Sequence, residues 1–270
     1  MMTSTTQHTI LQISTSGSHT LPDQLAVEEP LSIKIAYGTA GQPQDLSVTM
    51  RTPGHDKELA VGFLFTEGII RSFDDADNLY KSGENEVVVV LKPQVQPDPE
   101  KLMRNFYMTS SCGVCGKASI DAVRIQVDPI QAADFSVLAS AIYTMPDQLL
   151  KAQSLFESTG GLHASALFNG QGELEIIRED VGRHNALDKA IGAMLAKKKM
   201  PLSSFVLLVS GRSSFELVQK AALAGIPVVA AVGAPSSLAV QLAHDVGITL
   251  IGFLRYQKFN VYTHLHRIKT

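Results

Sequence analysis

Apolar and polar positions alternate in the first third of the chain. Leu31, Ile33 and Ile35 are separated by polar neighbours, and so are Leu46, Val48 and Met50. A period of two belongs to strands with one buried face, and the stretch from Gly38 to Gly41 between the runs predicts a hairpin turn. Glu58 to Phe65 changes to a helical pattern that Gly68 closes. Glu86 to Leu91 contains four consecutive valines, which suits a buried strand. Pro93 to Pro99 then breaks regular structure as a loop or linker.

The later pattern is cleaner. Pro146 to Phe156 reads as a helix. Leu162 to Phe168 and Glu173 to Arg178 read as strands joined by the turn Asn169-Gly170-Gln171-Gly172. Asn185 to Lys199 is a helix with Leu187, Ala190, Ile191, Met194 and Leu195 on one face. Lys197 to Lys199 complement its C-terminus, and Pro201 follows as a stop. Phe205 to Val209, Val228 to Val232 and Ile248 to Phe253 are apolar strands. Helices from Phe215 to Ala224 and from Pro235 to about Asp245 separate them. Strand, helix, strand, helix, strand predicts right-handed crossovers and a parallel sheet covered by helices, an α/β fold. There is no internal repeat.

Composition narrows the class. The chain has 270 residues, 45% hydrophobic and 18% charged, enough to bury a core without staples. A net charge of -3 gives no reason to expect nucleic acid as the main partner. Only two cysteines are present, three apart, which excludes a secreted disulfide framework. Met1 to Thr20 is Ser/Thr-rich without Lys or Arg, so it does not read as a signal peptide and is expected to be disordered. No apolar run is long enough to span a bilayer. These features predict a cytoplasmic protein without a membrane segment.

The candidate chemistry begins at Ser110-Ser111-Cys112-Gly113-Val114-Cys115-Gly116, whose composition suits a loop or a turn entering a helix. Cysteines at this spacing can form a redox pair, half of a zinc site, a sulfur carrier, or simply two inert buried thiols. Zinc needs about four ligands, so histidines or a second subunit would have to supply the rest. A sulfur carrier needs an accessible thiolate. The flanking glycines leave room for a partner's persulfide, and loop N–H groups can stabilise the anion.

A second cluster runs from Arg178 to Lys189. It suits a solvated helix entrance capped by Asn185. It also suits a site with His184 and Asp180 near the thiol and Arg183 attracting a phosphate. His163 follows two glycines at a strand start and is structural or ligand-facing. Ser210 to Ser214 and Gly233 to Ser237 each join a strand end to a helix start. There, free N–H groups and the helix dipole suit phosphate, although Ser213 and Ser236 could equally be caps. Two such turns in tandem point to a nucleotide-like ligand. Phe253, Leu254, Arg255, Tyr256, Gln257 and Lys258 follow the third strand. The cations Arg255 and Lys258 could hold a pyrophosphate, and Phe253 or Tyr256 could stack on a base.

In order, Glu29 to Leu31, Met50 to Gly54, Glu58 to Leu64, the cysteine segment, Gly161 to His163, Glu179 to Asn185, Ser210 to Ser214 and Phe253 to Tyr262 resemble the formate dehydrogenase accessory sulfurtransferases of the FdhD type. The resemblance spans nearly the whole chain after the first twenty residues. It implies a small α+β domain over residues 21–130 ending in the cysteine loop. A three-layer α/β/α domain similar to cytidine deaminases would follow over 131–270. It further implies a sulfurtransferase that takes persulfide sulfur from a cysteine desulfurase. The acceptor would be the molybdenum cofactor in its bis(molybdopterin guanine dinucleotide) form, before it enters the formate dehydrogenase apoenzyme. By the resemblance Cys112 carries the persulfide and Cys115 assists or is partly dispensable, while Phe253 to Lys258 hold the cofactor, which GDP could mimic. A homodimer with no resident metal is expected.

Two rival readings stand beside this one. Zinc deaminases use H-x-E and P-C-x-x-C. Here Ala164-Ser165 follow His163, no proline precedes Cys112, and the order of the motifs is reversed, so deamination is not expected. A chaperone that binds the cofactor without moving sulfur is the other, and the cysteine pair argues against it.

Overall fold

The computed structural model describes residues 3–38, 41–99, 102, 129–130, 132 and 134–270. Cys112 and Cys115, with the loop or turn predicted for them, lie outside the described residues.

Four strands build the first sheet: β3 (Glu29–Ala36), β4 (Gln44–Arg51), β5 (Ala76–Gly83) and β6 (Glu86–Leu91). Their order is β4-β3-β6-β5, with β3 and β6 parallel and the outer pairs antiparallel. The alternation read in the sequence is the inward face of β3, where Leu31, Ile33 and Ile35 are at most 1% exposed. Helix α1 (Asp56–Thr66) follows β4.

The second sheet has six strands: β8 (His163–Asn169), β9 (Leu174–Asp180), β10 (Phe205–Val209), β11 (Val228–Ala231), β12 (Thr249–Arg255) and β13 (Lys258–Val261). Their order is β13-β12-β11-β10-β8-β9. As predicted, β10, β11 and β12 are mutually parallel, joined by α5 (Phe215–Leu223) and α6 (Ser237–Asp245). Period-two alternation sends Ala164, Ala166, Phe168, Val206 and Leu208 to one face, against Ile142, Met145 and Leu149 of α2 (Ala139–Ala152). It sends Leu167, Leu207, Val209 and Val229 to the other, in one cluster with α5, α6 and α4 (Arg183–Ala196). The result is the expected three-layer α/β/α arrangement. The short strands β7 (Val137–Leu138) and β14 (Ile268–Lys269) pair in parallel at its side.

Three local expectations are corrected. The N-terminal stretch expected to be disordered is ordered from Thr5 on: β1 (Thr5–Ser14) and β2 (Gly17–Ala26) form an antiparallel ribbon. The β-branched Thr and Ile of β1 suit a pleated ribbon, and Gly17, at φ 133°, leads out of the turn at Thr15-Ser16. The helix expected from Pro146 begins at Ala139, and Pro146 lies inside it. Burial of Ile142 and Met145 at 0% favours the earlier start over the proline boundary. The same helix ends at Ala152, and a separate short helix, α3 (Ser154–Thr159), follows.

The two sheets do not have separate cores. Leu31 and Val87 of the first share one cluster with Leu207 and Val229 of the second. The join is the crossing of α1 and α4. A Cβ on Gly62 would lie 1.9 Å from the Asp188 carbonyl oxygen, and one on Gly192 would lie 1.9 Å from that of Glu58. Only hydrogen fits at either position.

Ion pairs flank this crossing. Arg178 of β9 donates to Glu58 of α1, with Nη2 to Oε1 at 2.8 Å. Lys220, with its side chain 10% exposed, donates to both Asp188 oxygens at 2.9 and 2.8 Å and to Thr66 Oγ1 at 2.8 Å. Burial works against the Lys220 charge, but Asp188 and Glu67 outweigh it and hold its pKa above the ordinary lysine value.

Two outcomes follow. Gly62→Ala is expected to destabilise the protein by about 3 kcal/mol or more, because backbone must move to admit one methyl; chemical denaturation reads this directly. Burial opposes ionisation of Glu58, but Arg178 and His55 prevail and lower its pKa from 4.5 to about 2. A depressed carboxylate stabilises the fold above its unfolded pKa and loses that contribution as pH falls through the folded one. Stability should therefore decline between about pH 4.5 and 2, and Glu58→Gln should flatten that part of the curve.

Candidate functional site

The carboxyl ends of β10, β11 and β12 meet the N-termini of α5 and α6, where the ligand crevice of an open parallel sheet lies. The ladder continues past the strands. Gly233 N donates to Gly211 O, Ser236 N to Ser213 O and Phe253 N to Gly233 O, each at 3.0 Å. The three turns singled out in the sequence therefore stack into one ledge. Their closeness depends on glycine. A Cβ on Gly233 would meet Gly211 O at 3.0 Å, and one on Gly252 would meet Pro235 Cδ at 2.8 Å.

The predicted residues divide on this ledge. Ser236 is a cap, its Oγ accepting from Ala239 N at 3.2 Å. Ser213 is 1% exposed, and its Oγ has no hydrogen-bond partner among the described residues. Phe253 adopts φ 55° and opens a register shift between Gly252 and Arg255. Leu254 is turned into the core at 1% exposure, so its side chain is not on the ledge. Tyr256 and Gln257, both at positive φ, form the turn into β13 between Arg255 and Lys258. All four are exposed, and the Arg255 guanidinium lies 5.9 Å from the Tyr256 ring centre.

The N-terminus of α4 adjoins. His184 Nε2 lies 3.0 Å from Glu216 Oε2 and 3.5 Å from Ser214 Oγ, which ties α4 to the first turn of α5. The sequence reading missed Glu216; its signal was an acid in the first turn after Ser213-Ser214. Arg183, half-buried beside His184, and Arg212, exposed after Gly211, add two cations, with no carboxylate paired to either among the described residues. His163, at the start of β8, has a pKa below the ordinary histidine value, because it is buried and because Arg183 and His184 bring positive charge near it.

Asp180 and Asn185 belong to the framework instead. Asp180, 0% exposed, pairs with Lys189 at 2.6 Å and accepts from the N–H groups of Thr52 at 3.2 Å and Gly182 at 2.8 Å. Burial pushes its pKa up, and Lys189, the Gly182 N–H and Asn185 work against that. Asn185 lies inside α4 rather than capping it: its amide donates to Met50 O at 2.8 Å and to Asp180 Oδ1 at 3.2 Å. Lys189 also donates to Thr52 O at 2.9 Å. The segment Met50-Arg51-Thr52 thus fixes the start of α4, and with it Arg183 and His184.

Behind the ledge, between α2, α3 and the ends of β8, β10 and β11, lies a cleft of about 580 Å³ lined in part by His163 and Ser210. Chemically, the ledge offers helix N-termini, backbone N–H groups and cations unpaired among the described residues, the donor set of an anion site.

Comparison with known proteins agrees with this architecture. The sequence profile described as the FdhD/NarQ family matches residues 26–269. A "Sulfur carrier protein FdhD" of Mycolicibacterium paratuberculosis is 49% identical, covering 98% of each chain. One from Streptomyces avermitilis is 50% identical over 98% of this chain and 95% of its own. One from the archaeon Saccharolobus solfataricus is 42% identical over 96% of each. A crystal structure of a formate dehydrogenase accessory protein candidate from Desulfotalea psychrophila superposes with a TM-score of 0.79 at 24% identity. It covers 99% of this chain and 100% of its own, which is a likeness of fold. With the motifs in family order and the family profile running from the end of β2 to β14, this chain belongs to the FdhD/NarQ family.

Proposed function

We propose that this protein carries sulfur as a persulfide on Cys112 and delivers it to a molybdenum cofactor bearing guanine dinucleotides, in the maturation of formate dehydrogenase. The sulfur half of the reading is supported by relatives named sulfur carrier proteins at 42–50% identity. It is also supported by the pair Cys112 and Cys115, the only cysteines in the chain. The cofactor half is carried by one observation: three stacked turns that set Arg212, Arg255 and Lys258 on the ledge beside the N-termini of α5 and α6, with Arg183 at the adjoining start of α4.

In this reading the Cys112 thiolate attacks the outer sulfur of a desulfurase persulfide. The S–S bond of the donor breaks as that of Cys112 forms, and the donor leaves as a thiolate. Cys115 assists the transfer. The pyrophosphates of the substrate cofactor lie on the ledge, with Ser213, Ser236, His184 and Arg183 near the helix starts. Phe253, Arg255, Tyr256, Gln257 and Lys258 close over it, and Leu254 supports them from the core. The working unit is a cytoplasmic homodimer that meets the desulfurase and the formate dehydrogenase apoenzyme in turn.

Intact mass after incubation with a cysteine desulfurase, cysteine and pyridoxal phosphate tests the carrier role. The wild type should gain about 32 mass units, reversibly with reductant, and Cys112→Ala should gain none. No gain in the wild type, with the desulfurase active, would leave a cofactor-binding chaperone that moves no sulfur. For the ledge, Arg255→Ala should weaken GDP binding about tenfold in calorimetry, and an unchanged affinity would remove Arg255 from the site.

A further inference from the structure

The β1–β2 ribbon has no role in sulfur transfer or in the ledge. The family profile begins at Ala26, the last residue of β2, so both larger sheets lie within the matched fold and the ribbon precedes it. The base of the ribbon is tied down. Ser4 Oγ donates to Pro53 O at 2.9 Å, and Val27 N donates to Ser4 O at 2.9 Å. A Cβ on Gly161 would lie 3.9 Å from that of Ala26, which sets the base beside the cleft that Gly161 lines. Among the described residues no third strand runs along the ribbon, and Leu11 and Ile13 are 60% and 76% exposed.

The two edges of the ribbon differ. In an antiparallel ladder, hydrogen-bonded pairs alternate with pairs whose backbone groups point outward. Pro22 has no N–H to exchange, so Thr9 and Pro22 are an outward-pointing pair. Every second pair shares that orientation: Gln7 with Gln24, Leu11 with Thr20, and Ile13 with Ser18. On β2 this outward row is blocked, because Pro22 offers no donor and Asp23 Oδ1 takes the N–H of Gln24 at 3.0 Å. On β1 the outward row is open. The N–H groups of Gln7, Thr9, Leu11 and Ile13 donate to no side chain among the described residues. Strand β1 contains no Lys, Arg, Asp, Glu or Pro, and no bulge interrupts its register. Those are the devices by which proteins guard an exposed edge. One edge of this ribbon is guarded twice and the other is left bare.

We propose that the outer edge of β1 takes up a strand from the protein that receives the cofactor, an extended and uncharged segment with apolar side chains at alternate positions. The identity of that partner rests on the function proposed above. Its chemistry follows from the edge. A row of outward N–H and C=O groups pairs with an extended backbone. Leu11 and Ile13 share one face of β1 and favour apolar side chains opposite them. A strand without charges has none with which to attract a charged segment. Position selects the receiver, because the base of the ribbon adjoins the cleft and, through it, the ledge. A receiver whose cofactor site is still empty leaves backbone around that site unpaired, and unpaired backbone seeks hydrogen bonds.

Biolayer interferometry tests this, with the full-length protein immobilised and formate dehydrogenase apoenzyme from cofactor-deficient cells in solution. Thr9→Pro removes an outward N–H and leaves the β1–β2 bonds in place, and it should weaken binding about tenfold or more. Leu11→Lys keeps the backbone whole and should weaken binding about fivefold. Gln24→Pro, on the guarded edge, should leave binding unchanged, and melting temperatures confirm that all three variants fold. If folded Thr9→Pro and Leu11→Lys bind as wild type does, the edge is not the site. If wild type does not bind the apoenzyme, strand addition is wrong, while a gain of sulfur on Cys112 keeps the carrier role. If both variants lose binding and wild type gains no sulfur, the edge stands and the carrier role falls. Sedimentation covers the other occupant. A wild-type oligomer that both variants dissociate, with apoenzyme binding intact, would give the edge to a second copy and overturn the proposal.

Discussion

The organisation of this molecule depends on how closely two helices can cross. Gly62 and Gly192 each place a hydrogen against the other helix's backbone, so α1 and α4 meet without intervening side chains. That approach joins the four-stranded and six-stranded sheets over one core. It also brings Glu58 within reach of Arg178, and Thr66 within reach of Asp188 and Lys220. A buried charge is costly unless it is paired and hydrogen-bonded. Lys189, 1% exposed, meets that condition only because Thr52 and Asp180 both converge on it. Separating the units by one methyl group would strand these charges together.

The same seam reaches the site. Thr52 donates its N–H to Asp180, Asp180 accepts from Gly182, and Gly182 is the residue from which α4 starts. Arg183 and His184 follow directly, and His184 reaches across to Glu216 on α5. The ledge is therefore held from two sides: by its own parallel strands, and by the first sheet acting through buried polar contacts. The motif from Arg178 to Lys189 serves both purposes, its interior residues as framework and its first helical residues at the surface.

Much of this could be read from the chain. The parallel unit β10 to β12 was legible because its apolar runs and glycine punctuation agree at every step. The ledge turns were legible because each places serines and glycines between a strand and a helix. The β1–β2 ribbon was not, because its two strands pair with each other while exposing most of their side chains, so low hydrophobicity resembled disorder. The start of α2 was hidden by Pro146, which looks the same at a first turn as inside a helix that packing sustains. Asp180 and Lys189 carried the charge pattern of a solvated helix entrance. Their burial comes from Thr52, 128 residues before Asp180 in sequence, which no local window contains. Leu254 lies among residues whose composition read as ligand-facing, but strand alternation within β12 turns it inward.

The ledge is built from main chain before any ligand arrives, and this affects how its preferences can change. Gly211, Gly233 and Phe253 are linked through backbone groups, and Gly233 and Gly252 have no room for a side chain. Arg212, Ser237 and Arg255 project from the same frame into solvent. Exchanging them alters charge and shape without moving a hydrogen bond of the ladder. The fold thus separates what must stay fixed from what can be tuned: a chassis of peptide groups whose fittings are interchangeable. Selection could change the charge and shape of this surface at a few exposed positions and leave stability almost untouched.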